Sequence, residues 1–137
     1  YSGDGLNEGS KVVIAAAGEI KRTLSEKIDE INLPDNLSKP KLISKGNLVI
    51  EGKGEIKELI LFLENQSLDG IGLITLVDDS TFVSGDFSNW LWVTFTRSNP
   101  ANDIYGLNAE NKKKHFSCSL PVIDARIKPH HAPVLER

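Results

Sequence analysis

The sequence contains no methionine, a single cysteine, and no apolar run near the roughly 18 residues that a membrane-spanning helix needs. One cysteine, Cys118, excludes an internal disulfide. With nothing resembling a signal peptide, the expected setting is a reducing cytoplasm. A natural gene product starts with methionine, although this can be removed. The opening Tyr1-Ser2-Gly3-Asp4-Gly5-Leu6-Asn7-Glu8-Gly9 also reads like the interior of a longer chain, so the expectation is a fragment. Basic density is lacking too. Sixteen Lys and Arg stand against nineteen Asp and Glu, for a net charge of -3, and no stripe has the density of a nucleic-acid footprint. The run Lys112-Lys113-Lys114 is short, follows Glu110, and reads as a solvated turn or strand edge.

What is present is ordinary. With 137 residues, 39% hydrophobic and 26% charged, the chain suits one folded domain and not a disordered one. Folding at this length buries roughly two-thirds of the unfolded surface, enough for one core.

The pattern along the chain alternates. Residues 1–10 are Gly- and Ser-rich and read as a loop lead-in. The apolar run 11–17, KVVIAAA, predicts a strand buried on both faces. Ile20, Leu24, Ile28 and Ile31 then form one helical stripe over residues 19–31, stopped at Pro34. Residues 41–44 and 48–50 predict two short strands around Gly46-Asn47. Ile56, Leu59, Ile60 and Leu63 predict a helix over residues 55–65, and residues 73–77 a strand. The block 90–96, WLWVTFT, is a strand by propensity and a helix by period, through Phe87, Trp90, Leu91 and Phe95. Ser84 or Asp86 offers an N-cap and Asn99-Pro100 a stop, so helix is the expectation. Residues 103–107 and 115–123 read as the last two strands, and the proline-bearing tail 124–137 as extended. Strands alternating with helices imply an α/β fold, a largely parallel sheet covered on both sides.

Several constellations have a chemical and a plainer reading. Gly3, Gly5, Gly9, Ser10 and Lys11 superficially suggest a phosphate loop. They precede a strand instead of joining strand to helix, and Gly52-Lys53-Gly54 lacks the upstream glycine spacing. Asp78-Asp79 end a central strand, where open α/β sheets place ligands. They read as Mg²⁺ ligands or, more plainly, as caps of the following turn. His115, His130, His131 and Cys118 invite a zinc site, but their spacing matches no zinc motif, and adjacent His130 and His131 point opposite ways in an extended chain. The plainer reading of Cys118 is a buried, inert thiol. Arg97 reads as a helix C-cap, a partner of Asp103, or a contact for an interface or substrate carboxylate.

The stretch 73–79, followed by Trp90-Leu91-Trp92, Thr96-Arg97, Pro100 and Asp103-Ile104, resembles the C-terminal domain of UbiD-type decarboxylases, among them the 3-octaprenyl-4-hydroxybenzoate carboxy-lyases of ubiquinone biosynthesis. Residues 5–13, 123–126 and 128–133 extend the resemblance over nearly the whole chain. It implies a three-layer α/β/α sandwich with a mixed sheet, and a helix for the ambiguous block. It implies non-oxidative decarboxylation of aromatic or α,β-unsaturated acids, using prenylated FMN with a divalent metal and a monovalent cation. The flavin, the metal ligands and the catalytic residues belong to another domain of such enzymes, so no catalytic, cofactor-binding or metal-binding residue carries over. This domain's implied part is to cover the flavin site, lend apolar surface to the substrate pocket and support homo-oligomerisation. His115 and Phe116 are the pocket-wall candidates. Polyprenylated hydroxybenzoate, a phenolic acid and a cinnamate-like acid all suit the resemblance. Two alternatives stay open: a non-enzymatic assembly module that uses one of Trp90 and Trp92 at an interface, and a stand-alone hydrolase or metal-binding domain built on Asp78-Asp79 and the histidines.

Overall fold

Two layers of helix enclose one mixed sheet, and the division follows from strand alternation. The computed structural model describes residues 11–128 except 16, 21, 29–32, 113 and 114, with the backbone alone for 111, 112 and 115–117. In chain order the elements are β1 (Leu37–Ser44), β2 (Asn47–Gly52), α1 (Ile56–Glu64), β3 (Leu73–Val77), α2 (Ser80–Ser84), α3 (Phe87–Thr96), β4 (Ile104–Leu107), β5 (Glu110–Lys112), β6 (His115–Ser117) and β7 (Leu120–Asp124). Five of the strands form a sheet in the order β1-β2-β3-β7-β4. The central β2, β3 and β7 run parallel, and β1 and β4 close the edges antiparallel. β5 and β6 form a separate antiparallel hairpin between β4 and β7.

The central strands are apolar on both faces, as a doubly covered sheet requires. Leu48, Ile50, Ile74, Leu76 and Val122 pack with Leu59 and Leu63 of α1. Their alternates Val49 and Val77 pack with Val83, Trp90 and Val93 of α2 and α3 on the other side. This is a three-layer α/β/α arrangement. In α3 the Trp90 indole N–H donates to Thr75 Oγ1 of β3 at 3.1 Å, so the ring's polar edge is satisfied inside the core.

The helix expected for the aromatic block, both strands around Gly46, the helix after residue 55 and the strand 73–77 are all found. β1 starts earlier than expected and runs through Pro40. It is an edge strand, and its register shifts between Ser38 and Lys41, so the missing proline N–H disrupts no central ladder.

Three expectations fail. Residues 11–15 form no strand: among the described residues no strand pairs with them, and Val13 is 90% exposed. The described residues within 19–31 form no helix, despite the stripe. The Ser25 N–H donates to Gly70 O at 2.8 Å, and Ser25 O accepts from the Gly46 N–H at 3.0 Å. Those tertiary bonds, and a local turn in which the Ser25 hydroxyl bonds the Lys27 backbone, replace helical bonds in the described residues. The single strand expected over 115–123 is two, β6 and β7, with Cys118 and Ser119 between them. The lead-in 1–10 and residues 129–137, with His130 and His131, lie outside the described residues.

Candidate functional site

The carboxyl ends of β2, β3 and β7 meet at one edge of the sheet. Beyond β2 the chain leaves through Lys53-Gly54-Glu55 to α1 on one face; beyond β3 it leaves through Asp78-Asp79 to α2 on the other. Diverging connections after neighbouring parallel strands open a crevice, the usual ligand position in such sheets. Here an open cleft of about 630 Å³ is lined by Gly52, Lys53, Asp78, Tyr105, Asp124 and Arg126, among others.

Its inner charges, on Asp103, Asp124, Arg126 and Lys128, are paired with one another. Arg126 clamps Asp124 in a fork: Nε to Oδ1 at 2.9 Å and one terminal nitrogen to Oδ2 at 3.0 Å. The other terminal nitrogen donates to Gly54 O at 2.8 Å, across the end of β2. The Lys128 ammonium donates to the carbonyls of Asp124, Arg126 and Arg97 at 2.6, 2.9 and 3.0 Å. It also lies 3.7 Å from the Asp103 carboxylate and 3.8 Å from that of Asp124. Asp103 in turn accepts from the Asn99 N–H at 2.7 Å, closing the turn into β4.

Burial alone would push the Asp124 carboxyl up. The Arg126 fork and Lys128 outweigh it and hold the group below the usual aspartate range. Arg126 is raised, above all by its hydrogen bond to Asp124. Lys128 is lowered, because burial prevails over the attraction of Asp124 and Asp103. Burial raises the Tyr105 phenol, and Asp103 and Asp124 add to it, so it stays neutral at pH 7.

Asp78 and Asp79 do different work. Asp79 is the N-cap of α2, where Oδ1 accepts from the Phe82 N–H at 3.0 Å. Asp78 accepts from the Ile127 N–H at 2.8 Å and faces Arg97 at 3.8 Å. Arg97 occupies the C-cap of α3 and faces Asp78. Among the described residues no three His, Cys, Asp or Glu side chains are grouped to hold a metal ion. Cys118 is a free, half-buried thiol. His115 and Phe116 fall on β6, in the hairpin at the opposite end of the sheet from the cleft, and their side chains lie outside the described residues. For a flavin phosphate, Arg126 is already spent on Asp124 and backbone carbonyls, and Lys128 on carbonyls and carboxylates, which leaves Lys53 among the cleft's cations.

The network's main members, Asp124, Arg126, Lys128 and Tyr105, were not singled out as site residues by sequence reasoning. A signal was there: Asp124, Arg126 and Lys128 are spaced by two, and in extended chain that spacing puts alternating charges on one side.

No protein-family model matches the chain. An uncharacterized protein of Chlamydia muridarum is 31% identical over 99% of this chain and 24% of its own length. A protein of Chlamydia pneumoniae, named as one of the subunits of a 4-hydroxybenzoate decarboxylase, is 30% identical over 99% of this chain and 23% of its own length. The chain therefore spans about a quarter of the length of the curated relatives it matches. Among solved structures, an evolved dimeric form of the UbiD-class enzyme HmfF from Pelotomaculum thermopropionicum, in complex with prFMN, aligns at 21% identity and a TM-score of 0.42, over 66% of this chain and 20% of that one. Over nearly its whole length the chain is thus similar to a quarter of a 4-hydroxybenzoate decarboxylase subunit, and the resemblance to UbiD-type decarboxylases that residues 73–106 carry stands.

Proposed function

We propose that this chain is the C-terminal domain of a prenylated-FMN-dependent carboxy-lyase acting on aromatic or α,β-unsaturated acids. By itself it is inactive. In the longer protein it covers the flavin and substrate site and supports homo-oligomerisation, in a cytoplasmic setting. The observation that carries this reading is the similarity, over 99% of the chain, to the protein named as a 4-hydroxybenzoate decarboxylase subunit, and the strand-end cleft, whose Asp124, Arg126 and Lys128 satisfy one another, agrees with a covering role. A cleft so committed builds structure and leaves proton transfer to other groups. The cofactor, when bound elsewhere in the longer protein with its metal and monovalent cation, supplies stabilisation of the charge that departing CO₂ leaves behind. What a covering domain must supply is shape and exclusion of water. His115 and Phe116 are the proposed contributors to the pocket wall.

The test compares the full-length natural protein, supplied with prenylated FMN, with the isolated chain, using CO₂ release from 4-hydroxybenzoate as the probe reaction. Release by the full-length protein alone is expected. Release by the isolated chain, or a natural reading frame with no flavin-binding domain ahead of Tyr1, overturns the reading.

One observation favours the assembly-module alternative. Trp90 is buried and Trp92 half-buried, and the outward side of α3 shows other residues: Phe87, Leu91 and Phe95 are 52%, 40% and 40% exposed. At i, i+4 and i+8 they form one stripe, and Phe82 of α2 is exposed as well. If this stripe is an interface, sedimentation velocity finds the chain self-associated at micromolar concentration and Leu91→Glu monomeric. A monomeric wild-type chain removes the alternative.

A further inference from the structure

We propose that residues 22–28 are a docking peptide held in cis, and that the amino-terminal edge of the parallel strands is its binding groove. The segment has no regular structure, yet it is fastened at four points. Arg22 donates through its two terminal nitrogens to Ile71 O and Ser119 O, both at 2.7 Å, so one guanidinium ties the lead-in to β3 to that of β7. The Ser25 backbone bonds Gly70 O and the Gly46 N–H at 2.8 and 3.0 Å. These contacts are of the kind by which a protein recognises a peptide, main-chain bonds with side chains set in shaped positions, and a turn in which the Ser25 hydroxyl bonds the Lys27 backbone closes the segment.

The groove is shaped by three missing side chains. A Cβ on Gly46 would lie 2.6 Å from Leu24 Cδ2, one on Gly72 2.9 Å from the same atom, and one on Gly70 2.7 Å from Ser25 Cβ. Gly46 and Gly70 also hold φ of +68° and +81°, which disfavour any other residue. Ile28 is partly buried against the α1-side core. Leu24 is 41% exposed, so the segment lies on the sheet's edge and the core closes beneath it. The recognised motif is Arg-Thr-Leu-Ser: a guanidinium for two carbonyls, a leucine over two glycines, and a small residue whose backbone completes the pairing.

Two measurements test this on the whole chain. In the wild type, the Ser25 and Gly46 amides report the docked segment and the Leu76 amide reports the sheet. Hydrogen exchange at Ser25 and Gly46 at least about tenfold faster than at Leu76 is expected, because a docked segment opens without unfolding the sheet. The double variant Arg22→Ala, Leu24→Glu then frees the groove. A fluorescein-labelled peptide of residues 22–28 should bind it saturably by anisotropy. Binding should be at least about tenfold weaker to the wild type, whose groove is filled, and to the double variant carrying Gly70→Ala as well. A folded double variant that binds no peptide overturns the proposal. So does exchange of Ser25 and Gly46 at the rate of Leu76, and that criterion decides alone if the double variant fails to fold.

Discussion

Asp124 shows how one side chain organises a sheet end. It is almost wholly buried, at 3% exposure, and faces two cations. Asp124→Asn keeps the shape and removes the charge, leaving Arg126 and Lys128 in low dielectric with reduced compensation. A loss of about 3 kcal/mol is expected, read as a lower urea midpoint at unchanged m-value. The pH dependence follows from the direction of each shift. The folded carboxyl lies below its unfolded value, so its stabilisation is complete above the ordinary aspartate range and is lost as pH falls through the folded pKa. Lys128 is depressed when folded, so between its folded and ordinary values the unfolded chain binds more protons, and this group's contribution rises with pH. Urea midpoints measured from pH 7 down to about 3 should fall in the wild type and fall less in Asp124→Asn. Deep in the core, Thr75→Val leaves the Trp90 indole N–H without its partner, and about 2 kcal/mol is the expected loss in the same assay.

Helix ends separate the elements that carry their own start signal from those held by packing. The Asp86 carboxylate accepts from the Ser88 N–H at 2.8 Å at the start of α3, whereas Glu55 at the start of α1 makes no side-chain cap bond. Asp86→Ala should therefore cost about 1 kcal/mol, and Glu55→Ala close to nothing, in thermal or urea unfolding. The same contrast explains what the sequence discloses. α3 could be read from its stripe and its Asp86 cap, α1 from its stripe alone and β3 from its apolar run, because these local signals agree with their packing. The stripe Ile20-Leu24-Ile28 is equally local and misleads, because Gly46 and Gly70, far along the chain, offer Ser25 backbone bonds that a helix would forgo. The run 11–15 misleads in the opposite sense: strand propensity needs a partner strand, and among the described residues the run lies in neither sheet. Asp79 was legible as the cap of the turn after β3; Asp78, read the same way, instead accepts from the Ile127 N–H, 49 residues on, and no short-range pattern foretells that bond.

At the scale of the whole molecule, two segments distant in sequence fasten opposite ends of the same parallel strands. Residues 22–28 cross the amino ends through Gly46, Gly70, Ile71 and Ser119. Residues 124–128 cross the carboxyl ends through Gly54, Asp78 and Arg97. Between them lies the length of β3, five residues or about 16 Å. If the sheet is a rigid spacer, the two fastenings act independently. If it bends as a unit, loosening one end changes the worth of the other. The apolar contacts on both faces of β3 favour the rigid case, because a close-packed core resists continuous deformation. A double-mutant cycle of Arg22→Ala and Arg126→Ala decides between them. Additive losses in unfolding free energy, with a coupling term under about 0.5 kcal/mol, are expected at this separation. A term above about 1 kcal/mol would mean that the two ends communicate through β2, β3 and β7, and that release of the amino-terminal segment is felt at the cleft.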